Sequence, residues 1–259
     1  MIVCFSGTGN SLSVAKEVLN HLPNHSLFRL DHSNSACMLS EYVEDNEIIW
    51  IFPTYSWGIP PVIKKAIDSF NGNNNAVHHM ITTCGDDIGN CALQWRKLLK
   101  RHNFNTGCAF SVQMPNTYVN MSGFDIDAPT DEAEKIERMP ERVKDICDTI
   151  KSFHGLPIDD VVKGSIPCIK TSIVYPWFKR FEMNPAKFKV NKDICISCGL
   201  CASHCPLCNI EMIQNFPKWG DNCTMCLRCY HHCPTKAIDY ASKTLKKGQY
   251  TRYKNLVGE

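Results

Sequence analysis

Nine of the sixteen cysteines in this 259-residue chain fall between Cys195 and Cys233, and eight of them repeat one spacing. Cys195, Cys198, Cys201 and Cys205 read C-x2-C-x2-C-x3-C and are closed by Pro206; Cys223, Cys226, Cys229 and Cys233 repeat the run and are closed by Pro234. The runs lie 28 residues apart, and the same shift carries Asp193 onto Asp221 and Ile210 onto Ile238, so the segment is an internal duplication. Four soft thiolates per site suit an iron–sulfur cluster. Three thiolates two residues apart wrap one cluster, and the fourth, turned by the proline, reaches the other. This spacing assigns [4Fe-4S] cluster I to Cys195, Cys198, Cys201 and Cys233, and [4Fe-4S] cluster II to Cys205, Cys223, Cys226 and Cys229. Zinc and disulfides are the competing uses of cysteine. Zinc usually pairs two short cysteine knuckles across a longer gap, and disulfides belong to oxidising compartments and small secreted chains.

A second group of residues sits in turns. Ser6-Gly7-Thr8-Gly9-Asn10-Ser11 is a glycine- and hydroxyl-rich loop ahead of a helical pattern. Glycines let backbone approach a phosphate, hydroxyls donate to its oxygens, and a helix N-terminus adds free N–H groups and partial positive charge. Leu12 stands where a dinucleotide fingerprint needs its last glycine, and no Gly-Lys-Ser/Thr follows, so neither that fingerprint nor a Walker loop is present. Pro53-Thr54-Tyr55-Ser56-Trp57-Gly58 places two aromatics on a proline-bracketed loop, where they are costly unless they cover something flat. Thr82-Thr83-Cys84-Gly85-Asp86-Asp87-Ile88-Gly89-Asn90 offers hydroxyls, acids and glycines to the edge of a heterocycle. Turn geometry accounts for any one of these loops. Three of them at matching strand ends point to a ligand.

The loops need a frame to bring them together. Apolar runs at 2–5, 26–30, 48–52, 77–83 and 108–114 read as strands, and helical patterns at about 10–22, 63–70, 89–102 and 132–153 interleave with them. The expected fold is α/β, a doubly wound five-stranded parallel sheet, whose ligands sit beyond the carboxyl ends of the strands. The small two-cluster α+β domain follows it. Expected boundaries are 1–162 for the sheet domain, 163–190 for an aromatic-rich joint, 191–241 for the cluster domain and 242–259 for a basic tail.

Composition sets further bounds. The hydrophobic share of 44% is ordinary for a globular protein. No apolar run approaches the roughly 18–20 residues that span a bilayer. The chain opens on the strand-like Met1-Ile2-Val3-Cys4-Phe5 with no charged leader, so a cytoplasmic location is expected, where the other seven cysteines stay reduced. Residues 1–162 hold 13 Lys/Arg against 20 Asp/Glu, whereas 163–259 hold 15 against 6. Cluster charge gives such cations a use, so nucleic acid is not an expected partner. Opposite signs on the halves suit their docking or the attraction of a different redox partner to each, and a solvated basic face is the plainest use of the excess cations.

Beyond these readings, the Ser6–Gly7–Thr8–Gly9–Asn10–Ser11, Pro53–Gly58 and Cys84–Asn90 loops resemble the three FMN-binding loops of flavodoxins. The cysteine runs are those of bacterial two-cluster ferredoxins. The fusion resembles the EFR1 family of flavodoxin–ferredoxin proteins, a likeness that extends to M-P-N-T-Y at 114–118, P-K-W-G-D at 217–221 and K-T-L-K-K-G-Q-Y-T-R-Y at 243–253. The resemblance implies that Ser6, Gly7, Thr8, Gly9, Asn10 and Ser11 hold the FMN phosphate. It places Tyr55 and Trp57 on the isoalloxazine, with Pro53, Thr54 and Ser56 in the same loop and Gly58 near the redox-active edge. Thr83, Cys84, Gly85, Asp86 and Gly89 then lie against the pyrimidine side. Flavodoxins often carry an aromatic just after this last glycine. Here Asn90 and Cys91 follow, which leaves one ring face open to a partner domain or a substrate.

The expected cofactors are FMN and two [4Fe-4S] clusters, and the expected partner is a redox protein, either ferredoxin-like or an oxidoreductase. Two functions follow. One is an electron relay between the flavin, the clusters and that partner; the other is a flavin-dependent reductase of a small organic acceptor, fed through its clusters by a ferredoxin-like donor. No second nucleotide fingerprint marks NAD(P)H as a dedicated substrate. Cys208 matches no ligand position and reads as a small buried residue; Cys84 reads as a buried or redox thiol. Asn116 and Tyr118 follow the fifth strand, within reach of a flavin or simply in a loop. Tyr175, Trp177, Phe178, Phe181 and Phe188 are expected to pack between the domains. A membrane-surface helix there, with Lys179 and Arg180 as its cations, is the rival that Pro176 and Pro185 leave little room for.

Overall fold

A computed structural model describes residues 1–31, 39 and 43–253; Lys254 of the basic tail lies outside the described residues. Strands β1 (Ile2–Cys4), β2 (Leu27–Arg29), β3 (Glu47–Pro53), β4 (Val77–Cys84), β5 (Asn105–Gln113) and β6 (Asp159–Asp160) form one parallel sheet in the order β2-β1-β3-β4-β5-β6. Its first five strands follow the flavodoxin-like 2-1-3-4-5 order. The sheet therefore has six strands where five were expected. The added strand is two acidic residues with no apolar signal, held by ion pairs from Arg96 to Asp159 and from Arg142 to Asp160.

Helices cover both faces, which is why the central strands are apolar on both sides. Helices α2 (Pro61–Asp68) and α3 (Cys91–Arg101) pack Ile63, Ile67, Trp95 and Leu98 with Phe5, Trp50 and Met80 on one face. Helices α1 (Asn10–His21) and α4 (Pro129–Lys151) pack Leu12, Val18, Val143 and Ile146 with Ile49, Ile51 and Phe110 on the other. Among the described residues no helix is long and apolar enough to cross a membrane.

The joint is a helix. Residues 167–182, here α5, run through Pro176 by alternating α turns with wider π turns; Tyr175 N–H donates to the Lys170 carbonyl and Met183 N–H to that of Phe178. Opening the turn accommodates a residue that has no N–H to give. Only part of the expected interdomain packing is present. Tyr175, Phe178 and Phe188 are buried, whereas Trp177 and Phe181 are 42% and 53% exposed.

The duplication is visible in the backbone. Strands β7 (Phe188–Val190) and β10 (Ile238–Tyr240) pair antiparallel, as do β8 (Ile210–Ile213) and β9 (Phe216–Trp219); α6 (Leu200–Ser203) and α7 (Arg228–His232) lie between. Left-handed residues recur at the 28-residue shift: Ser197 and Met225, Gly199 and Leu227, Cys208 and Lys236. His204 and His232, related by the same shift, meet with their Nδ1 atoms 2.9 Å apart.

Candidate functional site

The carboxyl ends of β1, β3, β4 and β5 open onto one cleft of about 1100 Å³, counting space open to solvent. Of the seventeen loop residues named for FMN, the cleft is lined by Ser6, Gly7, Thr8, Asn10, Ser11, Pro53, Thr54, Tyr55, Ser56, Trp57, Thr83, Cys84, Gly85 and Asp86. The other three are covered instead: Gly9 by Tyr253, Gly58 by the ring of Tyr175, and Gly89 by Trp57 and Thr171. Asn116 and Tyr118 also line the cleft, with Met121, Phe124 and Phe178.

Local chemistry explains each wall. Gly9 turns the chain into α1 at a φ of 101°, with no side-chain cap and no acid in the first turn, so the helix keeps its free N–H groups for an anion. Within the loop, Gly9 N–H donates to Ser6 Oγ at 3.1 Å. Ser11 Oγ and Thr83 Oγ1 share a hydrogen bond at 2.8 Å, tying the first loop to the end of β4. The aromatic loop is a two-residue turn, in which Tyr55 and Gly58 exchange both backbone hydrogen bonds. Ser56 and Trp57 have φ of 44° and 64°, a left-handed pair typical of such turns. Neither is glycine, so each costs about 1–2 kcal/mol.

Helix α5 seals one side. Thr171 Oγ1 donates to the Trp57 carbonyl at 2.8 Å and accepts from Asn90 N–H at 2.8 Å. Lys170 lies 5.1 Å from the Trp57 ring centroid and pairs with Asp87 at 2.6 Å. Tyr175 donates its hydroxyl proton to the Ile59 carbonyl. Two phenols stay unpartnered among the described residues, because the Oη atoms of Tyr55 and Tyr118 are buried with no hydrogen bond. Burial pushes the Cys84 thiol far up, with Asp87 and Asp86 adding to it, so at neutral pH it is a protonated wall residue.

The eight cysteines of the two runs ring two hollows of about 350 Å³ each, counting space open to solvent. Cys195, Cys198, Cys201 and Cys233 line the first; Cys205, Cys223, Cys226 and Cys229 line the second. Each hollow thus takes three thiols from one run and the last from the other. Backbone N–H groups of Asn209 and Ala237 donate to the Sγ atoms of Cys205 and Cys233 at 3.3 and 3.2 Å. Burial pushes Cys223 up to about 12, and Cys201 and Cys226 up to about 11, so loading a metal centre must displace their protons. Cys208, expected to be buried, is exposed. Its backbone makes the left-handed turn that follows Cys205, and Lys236 does the same after Cys233.

Cleft and second hollow share a wall. Cys226 lines both, together with Leu227. Its backbone lies so close to Gly7 that a Cβ there would stand 2.7 Å from the Cys226 carbonyl oxygen. Arg228, 3% exposed, donates to the carbonyls of Ser6, Gly7 and His204. Tyr55 is held protonated by burial and then by the neighbouring Cys226 and Cys223 thiols, so its hydroxyl is available as a donor beside them. Arg228 and Gly7 were missed as a contact pair. The signal was a break in the repeat, since the residue 28 positions before Arg228 is Leu200.

A family model described as a 4Fe-4S binding domain matches residues 188–207, which include the whole first cysteine run. No curated protein matches the chain. Among solved structures, an azoreductase from Bacillus anthracis str. Sterne is 10% identical, with a TM-score of 0.37 over 57% of this chain and 98% of its own. A Streptococcus pneumonia TIGR4 flavodoxin is 17% identical, with a TM-score of 0.33 over 56% and 97%. An FMN-dependent NADH-azoreductase from Bacillus anthracis str. Ames Ancestor, in complex with FMN, is 10% identical, with a TM-score of 0.36 over 57% and 96%. At these identities and scores none of them says what this chain binds. The chain joins a parallel α/β domain with the flavodoxin-like strand order to a C-terminal region whose residues 188–207 match the 4Fe-4S binding domain.

Proposed function

We propose that the chain is an electron-transfer flavo-iron–sulfur protein, with FMN in the cleft and a [4Fe-4S] cluster in each hollow, exchanging electrons with a redox partner. The single observation that carries this reading is the shared wall: Cys226 belongs to a four-thiol hollow and also lines the cleft. The residues fit both groups. The free N–H groups of α1, with Thr8, Asn10 and Ser11, suit a phosphate, and the Tyr55–Trp57 turn suits a flat ring. In each hollow four thiols surround a space, three from one run and one from the other. That arrangement suits a multinuclear cluster better than tetrahedral zinc. Bound there, FMN supplies one- and two-electron exchange and the clusters supply single-electron steps.

The protein's own residues set the order. The second hollow faces inward, with Cys229 buried and Cys226 on the cleft; the first presents Cys198 to the surface. External electron exchange therefore belongs at the first hollow. One observation favours the reductase reading as well: the cleft continues past the three loops to Tyr118, Met121, Phe124 and Phe178, enough wall for a small acceptor.

Anaerobically reconstituted protein is expected to hold FMN in about equal amount to protein, with about eight iron and about eight acid-labile sulfide per chain. Cys198→Ala should lower iron by about half and leave flavin bound. Stoichiometric zinc, or iron for one cluster only, would falsify the assignment. Rapid saturable oxidation of the reduced protein by one small molecule would move the conclusion to the reductase.

A further inference from the structure

Helix α5 has two faces, and the cleft uses one. Thr171, Tyr175 and Phe178 point inward, fixed by the Trp57 carbonyl, the Ile59 carbonyl and a nearly complete burial of Phe178. The opposite face presents Ile169, Ile173, Trp177 and Phe181, each 42–64% exposed, with the exposed, left-handed Ile166 just ahead of the first turn. The four recur every four residues, so they form one stripe along about 18 Å of helix. An apolar stripe of this length on a surface helix marks an interaction site.

The charges choose the occupant. From residue 163 to residue 181 there is no Asp or Glu, while Lys163, Lys170, Lys179 and Arg180 fall in the same stretch. Lys170 is taken by Asp87; Lys163, Lys179 and Arg180 are exposed, with the Lys179 ammonium 4.7 Å from the ring centroid of the inner-face Tyr175 and the Arg180 guanidinium 5.6 Å from that of Phe181 in the stripe. A second copy of the chain docking through this face would set like charges against one another around a two-fold axis. An anionic bilayer meets both features at once, because isoleucine, tryptophan and phenylalanine enter the boundary of the acyl chains while cations stay among the phosphates.

We propose that the outer face of α5 docks on the surface of an anionic membrane, lying in the headgroup plane without crossing it. Pro176, which argued against a helix here, is absorbed by the π turns. Docking needs no rearrangement, since the inner contacts already hold the stripe outward. It sets the cleft wall at Phe178 about one helix diameter, roughly 10 Å, from the headgroups. The proposal does not depend on which cofactors fill the cleft and hollows.

The test is flotation of the full-length, cofactor-loaded protein with phosphatidylglycerol-rich vesicles and with pure phosphatidylcholine vesicles. Binding to the anionic vesicles at low salt is expected, with loss at high salt. Trp177→Ser with Phe181→Ser should reduce the partition coefficient about tenfold or more. The visible absorption spectrum of that variant, unchanged, shows that the fold and its cofactors survive. Lys179→Gln with Arg180→Gln should weaken binding to the anionic vesicles selectively. Absence of wild-type binding to phosphatidylglycerol vesicles at low salt overturns the proposal, as does a serine variant that floats like wild type. A wild type that ignores vesicles yet self-associates in sedimentation velocity, losing this with the serine pair, makes the stripe an interface between copies and overturns it equally.

Discussion

Arg228 is the residue on which the two halves of the chain turn. Its guanidinium is buried among three carbonyls, two of them in the phosphate-type loop and one at His204 in the cluster region. It holds the Ser6 and Gly7 carbonyls, and its charge lies beside the thiols of Cys226 and Cys205. Replacing it with Leu, the residue of the other repeat, leaves three buried carbonyls without their charged donor. Each such hydrogen bond is worth about 1.5–3 kcal/mol. Arg228→Leu is therefore expected to weaken FMN binding about 10- to 100-fold in a flavin-fluorescence titration, while the cluster of the outer hollow persists. Arg228→Lys should recover only part of this, because a point charge cannot serve carbonyls in a fork. Unchanged flavin affinity in the Leu variant would show that Arg228 only packs.

At the scale of elements, β4 carries a titration that the site does not use. His78 sits between Trp50 and Phe104, accepts from Trp50 Nε1–H at Nδ1 at 3.0 Å and stacks on Phe104 with centroids 4.8 Å apart. Burial, with His79 adding to it, pulls its pKa down to about 4 from 6.5. The folded state thus takes up this proton less readily than the unfolded chain. Its contribution is fully present above about pH 6.5, declines as pH falls and is exhausted below about pH 4, a window worth about 3 kcal/mol. Unfolding free energy measured by urea between pH 6.5 and 5 should fall with a slope that His78→Leu reduces by about 1.4 kcal/mol per pH unit. A slope identical in the variant would assign the acid sensitivity to other groups.

The same elements show where the sequence was legible. Strands buried on both faces and helices with a repeating apolar face leave periodic signals, and β1 to β5 and α1 to α4 sit within a few residues of the expected places. The cysteine runs were legible because a duplicated spacing stands out in the sequence, whatever the surrounding fold. β6 was silent because charge clamps, not apolar burial, hold it. α5 was hidden because prolines read as helix breakers, and its π turns have no period that a sequence displays. The shared wall was illegible for another reason: Gly7 and Cys226 are 219 residues apart, and only the packing of the two domains joins them.

For the whole molecule, the joint and the tail fix how the domains sit, and they do so with covered hydrogen bonds more than with exposed charge pairs. Lys247 of the basic tail donates to the carbonyls of Val119, Met121 and Phe124 at 2.6, 2.5 and 2.7 Å. Tyr250 donates to Asn10 Oδ1 at 2.8 Å, and His231 Nε2 lies 2.9 Å from the Thr117 carbonyl. Lys170 with Asp87 is an ion pair between α5 and the sheet domain, and both side chains are largely covered. Buried hydrogen bonds are screened little by salt. The aromatic contribution also comes from the inner face of α5, where Phe178 meets Tyr118 edge-on at 5.8 Å. Internal electron transfer between cleft and clusters, followed by flash reduction, should therefore change little in Trp177→Ser with Phe181→Ser and little on raising salt. Phe178→Ala, which empties a buried site at a cost of about 3–5 kcal/mol, should slow it in protein that still holds its cofactors. If the outer pair slows transfer and Phe178→Ala does not, the outer face sets the geometry and the assignment of the two faces of α5 is wrong.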